Sequence, residues 1–192
     1  MKLEDLLLYG ETSVVEFKKA SREVPRDMWR TYSAFANTDG GDIILGIEEN
    51  RDTSNYDDRF IISGVKDPRK IIKDFWDNVN NSNKVNINLM SDNDVRAVKY
   101  KGKDLVWITV PRADHDLRPV YINDNLLRGT FKRNNEGDYH CRESEIKAML
   151  RDANDSGNDG MICKNYTMDD IDQDTLKTYR MQFERRNQDH VW

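Results

Sequence analysis

Three carboxylates near the start of the chain have the type and spacing to act together. Glu11 and Glu16 flank a short apolar stretch, and Glu49 leaves the end of a longer apolar run, with Glu48 taking its place if the register slips by one. Carboxylates at neighbouring strand ends are hard oxygen ligands for Mg²⁺ or Mn²⁺, and such an ion orients a water and stabilises the charge of a phosphodiester in transition. A structural reading stands beside this one. In Ser13–Lys18, Val15 and Phe17 share one face while Val14, Glu16 and Lys18 share the other, so Glu16 and Lys18 can pair on a partly covered sheet surface.

Cations gather in the same part of the sequence. Lys18, Lys19, Arg22, Arg26 and Arg30 follow one another, and Arg128, Lys132, Arg133 and Arg142 recur later. Together they could form one face that neutralises phosphates, with binding that weakens linearly in the logarithm of salt concentration. An ordinary charged surface is the alternative. Phe131 and Tyr139 are candidate stacking surfaces for unpaired bases, or core residues. The net charge is -5, from 30 Lys and Arg against 35 Asp and Glu, which is the wrong sign for coating nucleic acid by bulk electrostatics. Any such contact must be a local patch, and the segment after Leu150 carries most of the excess acid.

The elements that position these groups can be read from periodicity. A strand at 13–18 leads through Val24-Pro25 into a helix with Met28, Tyr32 and Phe35 at helical spacing, ending near Asn37. Thr38-Asp39-Gly40-Gly41 breaks it, and Asp42–Ile47 is an apolar run short enough for a strand buried on both faces. The Gly pair suits a helix stop or a close backbone approach to a partner, and Asn37 and Thr38 suit either a cap or a ligand contact. Phe60–Ile62 reads as a strand, and Asp67-Pro68 opens a helix with Ile71, Ile72, Phe75, Trp76 and Val79 on one stripe. Alternation at Val85, Ile87 and Leu89 predicts a strand, and Val95–Tyr100 with Leu105–Val110 predicts a hairpin around Lys101-Gly102-Lys103. Pro119–Ile122 and Leu127–Lys132 read as two short strands, and Arg142–Ala153 as a helix.

Composition narrows the class. Hydrophobic residues make up 37% and charged residues 34% of the 192, and no stretch approaches the ~20 apolar residues that span a bilayer. The acids at Glu4 and Asp5 do not suit a signal peptide, so a cytoplasmic setting without membrane contact is expected. Cys141 and Cys163 form no CxxC pair, and His115, His140 and His190 lack zinc spacing. There is no P-loop, Rossmann fingerprint, nucleophile–base pairing or internal repeat.

These readings give an α+β fold, a mixed sheet with helices packed against it. The expected organisation is a domain over 1–153, a linker over 154–166 rich in Asp, Asn, Ser and Gly, and a helix over 167–192 capped by Thr167-Met-Asp-Asp. The uncapped finish at His190-Val191-Trp192 adds the expectation of a longer polypeptide with downstream domains.

The run Glu11-Thr-Ser-Val-Val-Glu16-Phe17-Lys18, followed by Ser33-Ala34-Phe35-Ala36-Asn37-Thr38-Asp39-Gly40-Gly41 and its apolar strand, resembles the AlbA-like domain of the Schlafen family. Such domains stand at the N-terminus of bacterial transcriptional regulators. Pro119–Ile122, Arg128–Arg133 and the helix near Arg142 are similar in order to the last strands and closing helix of that domain. The resemblance implies an AlbA-like fold and a nucleic-acid partner, DNA or RNA. Carried over by position from Schlafen-type ribonucleases, the catalytic and metal-holding residues would be Glu11, Glu16 and Glu49, with Mg or Mn as cofactor, although Glu48-Glu49 stands where those enzymes carry Asp. Three functions therefore enter: a DNA-binding module of a regulator, a metal-dependent endoribonuclease, and a protein-interaction or oligomerisation module, with a homo-oligomer as one form of partner.

Overall fold

The computed structural model describes residues 3–50, 53, 59–155, 167, 170 and 172–186. Two compact units emerge, Met1–Ser156 and Gly157–Trp192. The first has an α+β fold. It opens with helix α1 (Leu3–Tyr9), strand β1 (Val15–Lys18), helix α2 (Met28–Asn37) and strand β2 (Gly41–Leu45). Strand β1 lies parallel to β2, with Glu16 opposite Ile43.

Strand β2 carries both cores because its alternation sends large apolar side chains to each face. Ile43 and Leu45 pack with Met28, Tyr32 and Phe35 of α2, while Ile44 joins Val15 and Phe17 of β1 and Leu3 and Leu6 of α1 on the other side. The turn between α2 and β2 depends on its glycines. The amides of Thr38 and Gly40 both donate to the Phe35 carbonyl, at 3.1 and 2.8 Å. Gly40 has φ +74°, and a Cβ on Gly41 would sit 2.7 Å from the Phe35 ring and from the Val14 carbonyl oxygen. The Gly pair is thus a helix stop in which protein packs on protein, one of the two roles the sequence left open.

The apolar run expected as one strand over Asp42–Ile47 breaks at Gly46, whose φ of +100° no other residue adopts readily. Its amide donates to the Lys18 carbonyl at 2.8 Å, and the chain leaves the sheet to form β3 (Ile47–Glu49), antiparallel to β4 (Phe60–Ile62). Helix α3 (Pro68–Val79) starts where expected. Asp67 caps it by accepting from the Lys70 amide at 3.0 Å, and Ile71, Phe75 and Val79 are buried.

Strands β5 (Val95–Tyr100) and β6 (Lys103–Val110) form the expected hairpin and complete a four-stranded sheet in the order β1-β2-β6-β5. The alternation at 85–89 does not give a strand. Val85 makes a lone bridge to Ile122. The Asn86 side chain takes the Tyr121 amide at 2.7 Å and donates to the Pro119 carbonyl at 3.2 Å, so a side chain does there what a ladder would do. Pro119–Ile122 likewise pairs through isolated bridges. The strand expected over Leu127–Lys132 is instead the short helix α4 (Leu126–Gly129), whose first turn Asn125 caps by accepting from the Arg128 amide at 2.8 Å. Then come β7 (Phe131–Asn134) and its antiparallel partner β8 (Gly137–His140), a polar strand without apolar alternation to mark it.

Helix α5 (Glu143–Asp155) closes this unit. In the second unit α6 (Gln173–Arg186) begins later than expected. Thr167 and Asp170 bond each other in a turn, and Asp172 caps the helix by accepting from the Asp174 and Thr175 amides at 2.9 and 3.2 Å. Most of the expected linker, together with Cys163 and the His190–Trp192 end, lies outside the described residues. No helix among the described residues is long and apolar enough to cross a membrane.

Candidate functional site

Strand β1 is the edge of its sheet, so its outward backbone groups need partners that β2 does not supply. Glu11 folds back beside it and accepts from the Phe17 amide at 3.2 Å. Arg133, reaching in from β7, donates to the Thr12 carbonyl just before the strand at 2.9 Å and to the Val15 carbonyl at 3.5 Å. The two side chains that satisfy this edge also bracket Glu16.

Glu16 projects between two cations. Lys18 Nζ lies 2.7 Å from its Oε1 and Arg133 Nη2 lies 2.7 Å from its Oε2. Lys18 also pairs with Asp27 at 3.0 Å, and Arg133 Nη1 with Asp138 at 2.8 Å. The Arg133 side chain is 1% exposed and its guanidinium lies over the Phe35 ring. Burial alone would lower the Lys18 pKa, but the charge and hydrogen bond of Glu16, helped by Asp27, outweigh it and hold the ammonium above the ordinary lysine value. The expected Glu16–Lys18 pair is formed and belongs to a larger buried network.

Glu11, Glu16, Glu48 and Glu49 line one cleft of about 550 Å³ together with Lys18 and Lys19. Burial first, then the charges of Glu16 and Glu49, push the Glu11 carboxyl up to about 7 against the opposing pull of the Phe17 amide and Lys18. Glu49 is the one whose charge acts on Glu11, and it pairs with Arg59 at 3.6 Å, whereas Glu48 pairs with Lys19 at 2.8 Å. The three sequence-selected carboxylates thus share one cleft and one electric field.

They do not form a ligand set. Both oxygens of Glu16 are committed to cations, and among the described residues no three acidic, histidine or cysteine side chains are grouped so as to hold a metal ion. The negative field of the cleft suits a hard cation, but Glu16 as held by Lys18 and Arg133 does not fit one.

The cations selected from the sequence do not make a single face. Lys18 and Arg133 are turned inward to Glu16, Lys132 pairs with Glu145, and Lys19 pairs with Glu48. Arg22, Arg26, Arg30, Arg128 and Arg142 are exposed. Arg30 lies over the Phe131 ring, which is buried, while Tyr139 is 56% exposed. Arg26 meets two residues that the sequence reading passed over: a cleft of about 310 Å³ is lined by Arg26, Lys70 and Lys84 together with Glu23 and Asp74, the last paired with Lys70 at 3.6 Å. The Lys84 pKa is lowered, by burial and then by the charge of Arg26. Arg59, Asp27 and Asp138 were also passed over. Their partners lie on other elements, and no local pattern announces them.

The Ser33–Thr38 segment has a structural task. Asn37 is buried, donates to the Val120 and Phe131 carbonyls at 2.7 and 2.9 Å, and accepts from the Val120 amide at 2.8 Å. Ser33 donates to the Val120 carbonyl at 2.8 Å and accepts from the Phe131 amide at 3.0 Å, while Thr38 accepts from the Arg133 amide at 3.0 Å. These bonds hang β7 on α2 and deliver Arg133 to Glu16.

The model of the Schlafen AlbA_2 family matches residues 11–142, which contain the carboxylate cleft, the Glu16–Arg133 network and the Arg26–Lys84 cleft. The chain belongs to the Schlafen AlbA_2 family. A second match, to a domain of unknown function, covers residues 147–192. Among solved structures, the AlbA_2 chain is similar to the N-terminal domain of a RecG-related protein from Nitrosomonas europaea, with 27% identity and a TM-score of 0.54 over 72% of this chain and 90% of that one. A protein from Corynebacterium diphtheriae is similar at 19% identity and a TM-score of 0.49, over 78% of this chain and 27% of that one. A comparison with curated proteins finds no match.

Proposed function

We propose that the AlbA_2 domain of this chain binds nucleic acid, gripping phosphates through local cationic clusters on a protein that is acidic overall. The observation that carries this reading is the Arg26–Lys84 pair. Arg26 and Lys84 share a cleft with Lys70, and burial first, then the charge of Arg26, lowers the Lys84 pKa. Lys84 also lies over the Trp29 ring and donates to Asn123 Oδ1 at 3.2 Å, and Glu23 and Asp74 share the cleft; a phosphate entering beside Arg26 and Lys84 would relieve the repulsion between the two cations and release counterions from the nucleic acid. Family membership supports the same reading, as does the likeness to a domain of a protein named for its relation to a DNA helicase. The setting we infer is a cytoplasmic regulator of transcription, and this part rests on the family alone.

A second reading is favoured by one observation. The Glu11 carboxyl, raised to about 7 by burial and by Glu16 and Glu49, is the kind of perturbed group that catalytic sites contain. A metal-dependent endoribonuclease would require Glu16 to release Lys18 or Arg133.

The test incubates the purified chain with labelled duplex DNA and structured RNA at rising salt, with Mn²⁺ or EDTA, following gel mobility and cleavage. The comparison variants are Glu11→Gln and Glu49→Gln, because Glu16 also secures Arg133 and its loss would confuse folding with function. Binding without cleavage, weakening linearly in the logarithm of salt, is the expected result. Cleavage that needs Mn²⁺ and is lost in both variants would establish the endoribonuclease instead. An absence of binding at low salt would overturn both readings and leave an interaction module.

A further inference from the structure

A second cleft, of about 340 Å³, adjoins the carboxylate cleft and shares Lys19 with it. Its lining includes Lys19, Ser21, Ser63, Gly64, Lys66 and Lys103, and no carboxylate. Three separate chain segments bring these lysines together, and the backbone fixes them. The Gly64 amide donates to the Gly46 carbonyl at 2.8 Å, the Val65 amide to the Asp104 carbonyl at 2.7 Å, and the Lys66 amide to the Ser21 carbonyl at 2.8 Å. Gly64, at φ +73°, leaves room for the stem of Lys103, whose Cβ would lie 3.0 Å from any Cβ placed there. Neither Lys66 nor Lys103 has an acidic partner among the described residues, and both are exposed.

The position of this cleft gives it meaning. The cations at the carboxylate cleft, Lys18, Lys19, Arg59 and Arg133, are each paired with a carboxylate, so a strand that passes it needs further cations close by. Lys19, paired with Glu48, marks the boundary between the two. Along the chain, residues 16–19 line the carboxylate cleft, 19–21 the lysine cleft, and Glu23, Val24 and Arg26 the cleft of Lys70 and Lys84. The link between β1 and α2 therefore borders three clefts in turn, the second and third of them carrying three lysine or arginine residues each.

We infer that the Lys19–Lys66–Lys103 cleft is a phosphate-binding subsite for a nucleic-acid strand, holding the backbone between the carboxylate cleft and the Arg26–Lys84 cluster. Flexible ammonium groups are point charges suited to a phosphodiester whose exact placement varies along a strand. This assignment rests on the domain being a nucleic-acid binder, and it adds residues and a path that the family match does not specify.

The test measures fluorescence anisotropy of labelled single-stranded RNA and DNA with the full chain, from about 50 to 200 mM salt. The variant is Lys66→Gln with Lys103→Gln. The control, Lys73→Gln with Lys147→Gln, makes the same change in net charge at two exposed positions outside the clefts. Lys66→Arg with Lys103→Arg keeps the charge. The expected result is a loss of about tenfold in affinity at low salt for the Gln pair, and a salt slope smaller by about 1.4, since each phosphate contact to a single strand contributes about 0.7. The control and the Arg pair should bind like the parent. A parent that binds, with a Gln pair matching it in affinity and slope, would overturn the subsite and leave the binding reading standing. A parent that fails to bind at low salt would overturn the binding reading itself. Inorganic phosphate alone, titrated against lysine side-chain resonances, should bind far more weakly than the strand; equal affinity would assign the cleft to a free anion instead.

Discussion

Arg133 Nη2 lies 2.7 Å from Glu16 Oε2, although the two residues are 117 positions apart in sequence. The contact ties the β7–β8 hairpin to the edge strand of the main sheet. Lys18 holds the other oxygen of Glu16 and Asp138 holds the other end of the guanidinium, so four charges alternate along a line that is almost wholly buried. The orientation of Glu16 in its cleft is therefore set by a strand near the end of the domain.

Removing the central cation should be costly. In Arg133→Met, Glu16 and Asp138 lose a partner while staying largely out of water, and unfolding in urea should show a loss of about 3–5 kcal/mol, the range for breaking one side of a buried pair. Asp138→Asn keeps the Glu16 contact and should lose about 1–3 kcal/mol. A loss below about 1 kcal/mol for Arg133→Met would mean that the network is held by water rather than by its own members.

Glu11 should make stability depend on pH in the direction opposite to most acids. Its carboxyl titrates at about 7 when folded and 4.5 in the reference state, so the folded chain holds the proton more tightly. Stability contributed by this group falls as pH rises from 4.5 towards 7 and is level above that. Glu11→Gln removes the penalty. At about pH 8 the variant should be more stable than the parent by on the order of 1 kcal/mol, after allowance for partial solvent screening. Near pH 4.5 the two should coincide. Denaturant curves at both pH values make the comparison, and a variant less stable at the higher pH would contradict it.

Much of this arrangement could be read before the structure, and the parts that could not share a cause. The α2 spacing of Met28, Tyr32 and Phe35, the Asp67-Pro68 helix start and the hairpin at Lys101-Gly102 are local patterns, and all three appear in the fold. So does the Glu16–Lys18 pair, two residues apart on one strand face. What escaped was decided by partners distant in sequence. Ile87 and Leu89 alternate like a strand, yet Asn86 ties that segment through its side chain and the Leu89 amide donates to Tyr32 Oη at 3.2 Å. Arg133 looked like one more surface cation, because nothing near it reveals that Asp138, Glu16 and the Phe35 ring surround it. Helix α1 and strand β8 were passed over since neither has a long enough apolar period of its own.

Asn37 offers a sharper test of the bond pattern behind α2. Asn37→Leu fills similar space but leaves the Val120 amide, the Val120 carbonyl and the Phe131 carbonyl to find other partners. Each unsatisfied buried group costs about 1–3 kcal/mol, although Ser33 still serves the Val120 carbonyl. The expected loss is about 3 kcal/mol or more by urea unfolding, with amide exchange rising first at Val120. A loss near zero would show that this contact is replaceable.

Arg26→Gln separates a functional cation from a structural one. The Lys84 pKa is held down by burial and by Arg26, so taking away the guanidinium removes a repulsion and should leave the thermal midpoint unchanged or slightly raised. Binding should move the other way. The variant should lose affinity for duplex DNA and single-stranded RNA alike, and its salt slope should shrink by about 0.9 on duplex and 0.7 on single strands, the share of one phosphate. Stability and binding changing in opposite directions is what a residue kept for a ligand produces. If instead Arg26→Gln lowered the midpoint and left binding untouched, the cluster would be a packing feature and the phosphate reading of that cleft would fall.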